Sequence, residues 1–219
     1  RMTSQGAPRL DVAHQILGLL ACGEVYGFHT MADAAARVEG FPDSVTLMEM
    51  ALEHSDGYRR TRQRLLDHGI EADALIASFD PPLANYYSRT RPADEFQSLL
   101  KAYVGTGIAA DCVREMASHL DPETRDFIVD VLSRPRADAY VVPRLREVMA
   151  QDSQAAGPMA LWGRRLMGEA LSQAQRVAVD RPDLVALIVG PDDLEGFQQM
   201  IARMTASHSD RMRALGLYA

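Results

Sequence analysis

Apolar residues recur at helical spacing along almost the whole chain. From Asp11 to about Val38 they follow one another at steps of three, four or seven residues, which predicts a long amphipathic helix. The same spacing predicts further helices over about 44–68, 71–79, 92–120, 123–149, 159–179 and 191–215. No segment of useful length alternates with the period of a strand. The pattern therefore predicts an all-α fold, an up-down helical bundle with two additional C-terminal helices, in one domain over 1–219.

Glycine and proline mark where these helices end. The segment Gly40–Pro42 ends the first helix, since glycine is flexible and proline lacks a backbone donor. Asp121–Glu123 supplies a cap, a first-position proline and an early acid, which together indicate a helix start. The stretch from Pro81 to Arg91 is predicted to be irregular and to lay two tyrosines across the bundle. Pro135 and Pro143 should break or kink the fourth helix.

Composition narrows the class of protein. Of 219 residues, 47% are hydrophobic and 24% charged, and no apolar run reaches the ~20 residues of a membrane span. The start of the chain lacks the pattern of an export signal, so we expect a cytoplasmic protein. Cys22 and Cys112 both lie in helical apolar patterns, where reduced thiols pack as small hydrophobes. A net charge of −7 makes nucleic-acid binding an unfavoured function.

Two glutamates lie within apolar helical stripes. Glu24 shares a helix face with Leu17, Leu20 and Met31, and Glu115 follows Ile108 and Cys112 at nearly helical steps in a later segment. Both carboxylates are therefore predicted to point inward. A carboxylate that cannot reach water must be paired, bound to metal or protonated. These two positions are the first candidates for a functional site.

Four segments resemble one family of bacterial proteins. They are LLACGEVYGF (Leu19–Phe28), KAYVGTGIAADCVREM (Lys101–Met116), LWGRRLMGEALSQAQRV (Leu161–Val177) and HSDRMRALGL (His208–Leu217). They are similar, in the same order and over most of the chain, to the ferritin-like proteins grouped with tRNA isopentenyl-adenosine hydroxylases. The resemblance implies a helical bundle around a non-haem di-iron site, with Glu24 and Glu115 at its two lone-glutamate positions.

The rest of that family's ligand pattern is replaced in this chain. Where relatives carry Glu-x-x-His on the second helix, an ungapped comparison gives His54 and Gly57, and the corresponding pair on the fourth helix is Arg134 and Ala137. An arginine keeps its proton in a protein, so Arg134 would repel a metal and neutralise a carboxylate. We therefore expect a degenerate site without a cofactor. In it Glu24 and Glu115 are balanced by His54, by Arg134 or Arg136, or by protonation, in a non-catalytic or small-ligand-binding protein.

A shift of one residue in the second helix gives a different reading. Glu53 and Asp56 then have the same three-residue spacing as the Glu-x-x-His ligands of the second helix. A rearrangement at Pro135 would turn Asp138 inward on the fourth helix. With Glu24 and Glu115 they form the ligand set of an active di-iron oxygenase, which would hold two Fe ions and act on tRNA as its relatives do.

A third hypothesis is a structural or partner-binding module. A homodimer through a Met-rich helix face would serve such a role. The arginines at 59, 60, 62 and 64 could touch RNA phosphate, but they spread around the helix, which is more typical of a solvated face.

Overall fold

A computed structural model of the chain describes residues 11–152, 154–189 and 194–218. Within those ranges the chain is helical and contains no strand, which confirms the all-α prediction. The helices are α1 (Val12–Arg37), α2 (Phe41–Asp67), α3 (Ala72–Ala77), α4 (Asp80–Arg89), α5 (Glu95–Leu100), α6 (Thr106–Ala117), α7 (Pro122–Val131), α8 (Pro135–Gln151), α9 (Ala156–Asp180), α10 (Pro182–Val189) and α11 (Leu194–Ala214).

Aspartate caps begin three of these helices. Asp11, Asp94 and Asp121 each accept a hydrogen bond from the backbone N–H three residues on. Each bond satisfies one of the donors that the first turn of a helix leaves free. At the other end of α2, Gly69 takes a φ of 74°, which few residues other than glycine adopt easily. These local signals are readable in the sequence.

The bundle is built around α1. The three-residue turn between α1 and α2 makes them antiparallel neighbours, and they pack together over most of their length. Helices α5 and α6 lie against α1, α8 packs on α5, and α7 contacts both α1 and α2. Helices α9, α10 and α11 cover α6 from the far side. No described helix is both long enough and apolar enough to cross a bilayer.

Two groups of buried side chains fill the interior. One is centred on Leu47, Leu99 and Leu166, and the other on Leu17, Phe79 and Ile128. Cys22 and Cys112 are free thiols, as their helical positions predicted. Burial raises the pKa of Cys112 to about 11, so its thiol stays protonated at neutral pH.

The prolines start helices more often than they end them. Pro42 lies in the first turn of α2, and α4 occupies the stretch predicted to be irregular, with prolines again in its first turn. Proline is favoured there because its missing N–H has no intrahelical partner to lose. Pro135 does separate α7 from α8, but α8 continues through Pro143. Helix α10 was not predicted, and the expected start at Pro191 lies outside the described residues.

The long helix predicted over 92–120 is interrupted at its centre. Residues Lys101–Gly105 form a π-helical turn between α5 and α6, and all five are buried. A π turn holds an extra residue, and such turns are frequent at functional sites. The extra residue rotates the following side chains by about 100° relative to an uninterrupted helix. The inward face of α6 is therefore out of phase with that of α5, while residues within α6 keep their helical spacing relative to one another.

Candidate functional site

A buried glutamate joins three parts of the bundle. Glu24 of α1 is only 2% exposed, and its Oε2 accepts two hydrogen bonds. His54 of α2 donates through Nδ1 at 2.9 Å, and Arg134, the N-cap residue of α8, donates through Nη2 at 2.5 Å. These three residues are called the Glu24 cluster below. The prediction that His54 and Arg134 would balance Glu24 agrees with these contacts.

Two glycines leave the space that this cluster occupies. A Cβ at Gly57 would lie 2.7 Å from Oε2 of Glu24 and 2.8 Å from Nη2 of Arg134. A Cβ at Gly27 would overlap the imidazole of His54. The guanidinium of Arg134 thus fills the volume into which a side chain at position 57 would project. Gly57 and Arg134 are therefore sterically complementary.

Hydrogen bonding determines what the imidazole of His54 can still do. Because a carboxylate only accepts, Nδ1 of His54 carries the proton that it donates to Glu24. Nε2 is buried and has no partner within the described residues. It is an acceptor if the ring is neutral and a donor if the ring is charged. The cluster therefore keeps one unused polar atom.

Glu115 lies elsewhere, which corrects the expectation that it shares the interior with Glu24. Its carboxylate makes a bidentate ion pair with Arg203 of α11, with N–O distances of 2.7–3.0 Å, and its side chain is 22% exposed. The buried residues of α6 are Ile108, Val113, Met116 and Ala117. Glu115 lies at the edge of this buried face, about 20° from Ile108, where Arg203 of α11 reaches it. Among the described residues, Glu24 and Glu115 have no partner in common.

The other acids of the di-iron reading do not converge on Glu24. Glu53 pairs with Arg136 at 3.2 Å, Asp56 is largely exposed beside Arg59, and Asp138 is exposed on α8. Within the described ranges no group of three His, Cys, Asp or Glu side chains could hold a metal ion. The one inward carboxylate is already bound by a guanidinium. These residues do not fit a dimetal centre.

The four arginines on α2 are each paired with an acid. Arg59 contacts Asp56, Arg60 contacts Asp130, Arg62 contacts Asp73 and Arg64 contacts Glu123. These exposed pairs neutralise the basic turn, as expected for a solvated face.

Two cavities adjoin the Glu24 cluster. The polar cavity, of about 100 Å³, is lined by Glu24, His54, Arg134, Lys101 and Tyr87 among others. The apolar cavity, of about 170 Å³, lies between α1, α4, α6, α9, α10 and α11, and its walls include Leu19, Ile108, Val177, Leu184 and Met200. The two cavities share a wall that consists of Gly23, Leu83, Tyr86, Gly105, Ala109 and Val113.

Two polar side chains beside these cavities were missed by the sequence analysis. The hydroxyl of Tyr86 is buried without a hydrogen-bond partner within the described residues. Lys101, on the π turn, is 3% exposed, and burial lowers the pKa of its amine to about 8. A signal was available for Lys101, because it is the only lysine in the chain, whereas arginine occurs 22 times.

The Glu24–Arg134 pair should behave as a unit in unfolding experiments. Glu24→Gln leaves a guanidinium without its counter-ion, and Arg134→Met leaves a buried carboxylate with only His54. We expect each change to lower the free energy of unfolding by about 2–4 kcal/mol, because breaking a buried pair strands a charge. The double variant should lose less than the sum of the two. Urea unfolding of all four proteins measures this coupling, and strict additivity would contradict it.

Lys101 should destabilise the folded chain in a pH-dependent way. Its pKa falls from 10.5 to about 8 on folding, so the unfolded chain binds the proton more tightly. Stability should therefore rise between pH 8 and 10.5. We expect Lys101→Met to gain up to about 3 kcal/mol at pH 7, and this gain should vanish near pH 11. Urea unfolding at several pH values checks this, and a gain independent of pH would indicate a packing effect instead.

Comparison with known proteins places the fold in a family. A search of curated proteins gives no match for this chain. The family model described as the ferritin-like domain of actinomycetes matches residues 9–191, which is most of the chain. Together with the helical bundle described above, this match shows that the chain belongs to the ferritin-like fold family.

Proposed function

We propose that this ferritin-like protein derives from di-iron hydroxylases, has exchanged the dimetal site for the Glu24 cluster, and binds a small, mainly apolar molecule. The observation that carries the proposal is the apolar cavity beside a polar one. Ligand sites are typically concave and mostly apolar, with a few polar groups that fix orientation. The proposed ligand therefore has an apolar body and one polar group.

The side chains around Glu24 support the loss of the metal. A metal pair needs several anionic or neutral ligands on converging faces. Here the inward carboxylate is held by Arg134 at 2.5 Å, and Gly57 leaves room for that guanidinium. A permanent cation in this position competes with any metal for Glu24, the one fully buried acid among the described residues. The site is therefore built around an ion pair, and the described residues offer no other set of metal ligands.

The size and lining of the cavities support ligand binding. An apolar cavity of about 150 Å³ is large enough for a benzene-sized molecule. The apolar cavity here has a volume of about 170 Å³. Its walls are mostly apolar, and the polar groups along them include the Tyr86 hydroxyl and the Gln173 amide. Empty apolar volume forfeits packing contacts, so a ligand that fills it gains them. A hydroxyl or carbonyl on the ligand would meet Tyr86 at the shared wall.

Iron loading tests the loss of the metal site. We expect protein expressed with excess iron to carry well under one iron per chain after removal of loosely bound metal, since the donors do not converge. Elemental analysis by mass spectrometry measures this. About two irons per chain that disappear in Glu24→Gln would restore the alternative of an active di-iron oxygenase acting on tRNA. Asp126→Asn, a change at an exposed acid that belongs to neither set of candidate ligands, is the matched control.

A cavity-filling substitution tests ligand binding. We expect 1-octanol, as a probe with an apolar body and a hydroxyl, to raise the melting temperature of the chain in a saturable manner. Ala174→Leu places extra volume in the apolar cavity, so it should weaken this binding at least tenfold while the fold is kept. Ala150→Leu, on the exposed face of α8, should leave binding unchanged. Equal binding by both variants, or no saturable binding by the parent, would refute the cavity site.

A further inference from the structure

Lys101 is chemically unlike every other cation of the chain. The 22 arginines carry guanidinium groups, which stay protonated and are not nucleophiles. Lys101 supplies the only side-chain amine, and an amine that loses its proton is a nucleophile. Arginine provides the positive side-chain charge at the surface of this protein and the cationic partner in its ion pairs with Asp and Glu. The one lysine is buried at the wall of a cavity instead.

The surroundings of Lys101 do not hold it as an ion pair. Its Nζ donates to the backbone oxygen of Tyr87 at 3.4 Å and lies 4.1 Å from the centre of that ring. Within the described residues no carboxylate lies at ion-pair distance from it. Asp33 favours the charged amine from farther away, but its carboxylate accepts from the Tyr87 hydroxyl, while Arg91 disfavours the charge. With a pKa of about 8, roughly a tenth of the amine is neutral at pH 7.

The π turn places the Lys101 side chain near Tyr86, whose hydroxyl has no partner within the described residues, and at the wall of the polar cavity. The Lys101 Nζ lies 5.9 Å from the centre of the Tyr86 ring. A Cβ at Gly105 would lie 3.0 Å from the Tyr86 hydroxyl oxygen and 3.5 Å from Cγ of Lys101, so both side chains flank this glycine. Gly105 lines both cavities and adds no side chain to obstruct them. A molecule whose body fills the apolar cavity can therefore present its polar end to Tyr86 and Lys101 together.

We propose that Lys101 is a reactive amine that holds an apolar aldehyde or ketone as an imine, with the Tyr86 hydroxyl binding the carbonyl oxygen. This inference rests on the proposed function and names the class of its ligand. The amine lone pair forms a bond to the carbonyl carbon, and the C=O π electrons move to oxygen, which takes up a proton. The nitrogen gives up its two protons in all, the oxygen takes up a second proton and leaves as water, and a C=N bond remains. Amine and carbonyl give imine and water, with no oxidant or reductant.

Reductive trapping tests the imine. The folded protein is incubated with octanal at pH 7.5, cyanoborohydride is added to reduce any C=N bond, and peptide mapping by mass spectrometry locates the added octyl group. The α-amino group of the chain is an internal reference, because free α-amino groups have a pKa near that of Lys101 and hence a similar neutral fraction. We expect Lys101 to be modified at least about tenfold faster than the α-amino group, owing to the bound aldehyde.

Variants and controls make the outcomes distinct. Lys101→Arg keeps the charge but should give no adduct at position 101, and Tyr86→Phe should slow trapping by a larger factor than it weakens the binding of 1-octanol. Denatured wild-type chain should lose the preference for Lys101, which keeps the test valid even if a variant fails to fold. Saturable 1-octanol binding with equal labelling of Lys101 and the α-amino group would overturn the imine and leave the proposed function intact. No binding of 1-octanol and no preference for Lys101 would overturn both.

Discussion

A buried carboxylate needs a compensating charge, and the centre of this bundle is arranged around that requirement. Glu24 is out of reach of water, so its charge is balanced by donors from two other helices, His54 and Arg134. The guanidinium fits because Gly57 offers no side chain, and the imidazole fits because Gly27 offers none. Three helices are thereby linked through one oxygen atom. The cluster is therefore a structural unit of the bundle.

Lys101 contrasts with that arrangement. Its ammonium has no carboxylate at ion-pair distance within the described residues. It is stabilised by a long hydrogen bond, by the rings of Tyr86 and Tyr87 and by the more distant charge of Asp33. The buried charge of Glu24 is compensated by two donors, whereas the buried charge of Lys101 faces a cavity and is compensated only weakly. The charge of Lys101 therefore lowers the stability of the folded chain. Strained or uncompensated groups concentrate where proteins bind or react. Lys101 lines a cavity, so this loss of stability occurs at a place where a ligand can bind.

Much of the fold follows from short-range rules that the sequence displays. Asp11 and Asp121 begin helices because their side chains accept from the next turn, and Pro135 separates two helices because it cannot continue the first. The same rules failed between Pro81 and Arg91, because proline opens a helix as readily as it ends one. They also failed at the π turn, since an inserted residue leaves no local signal. Glu115 was misplaced for another reason: it lies at the edge of the buried face of α6, where an arginine of α11 pairs with it.

The sequence by itself determined the helical class and the position of Glu24 on an inward stripe. Its single lysine was a further signal, which the helical pattern did not interpret. Only the tertiary structure decided that Glu24 meets His54 and Arg134, that Glu115 pairs with Arg203, and that Lys101 lines a cavity that shares a wall with the apolar one. Helical periodicity specifies which way a side chain points. Which side chains then meet depends on how helices distant in sequence pack, and one extra residue in a turn changes that.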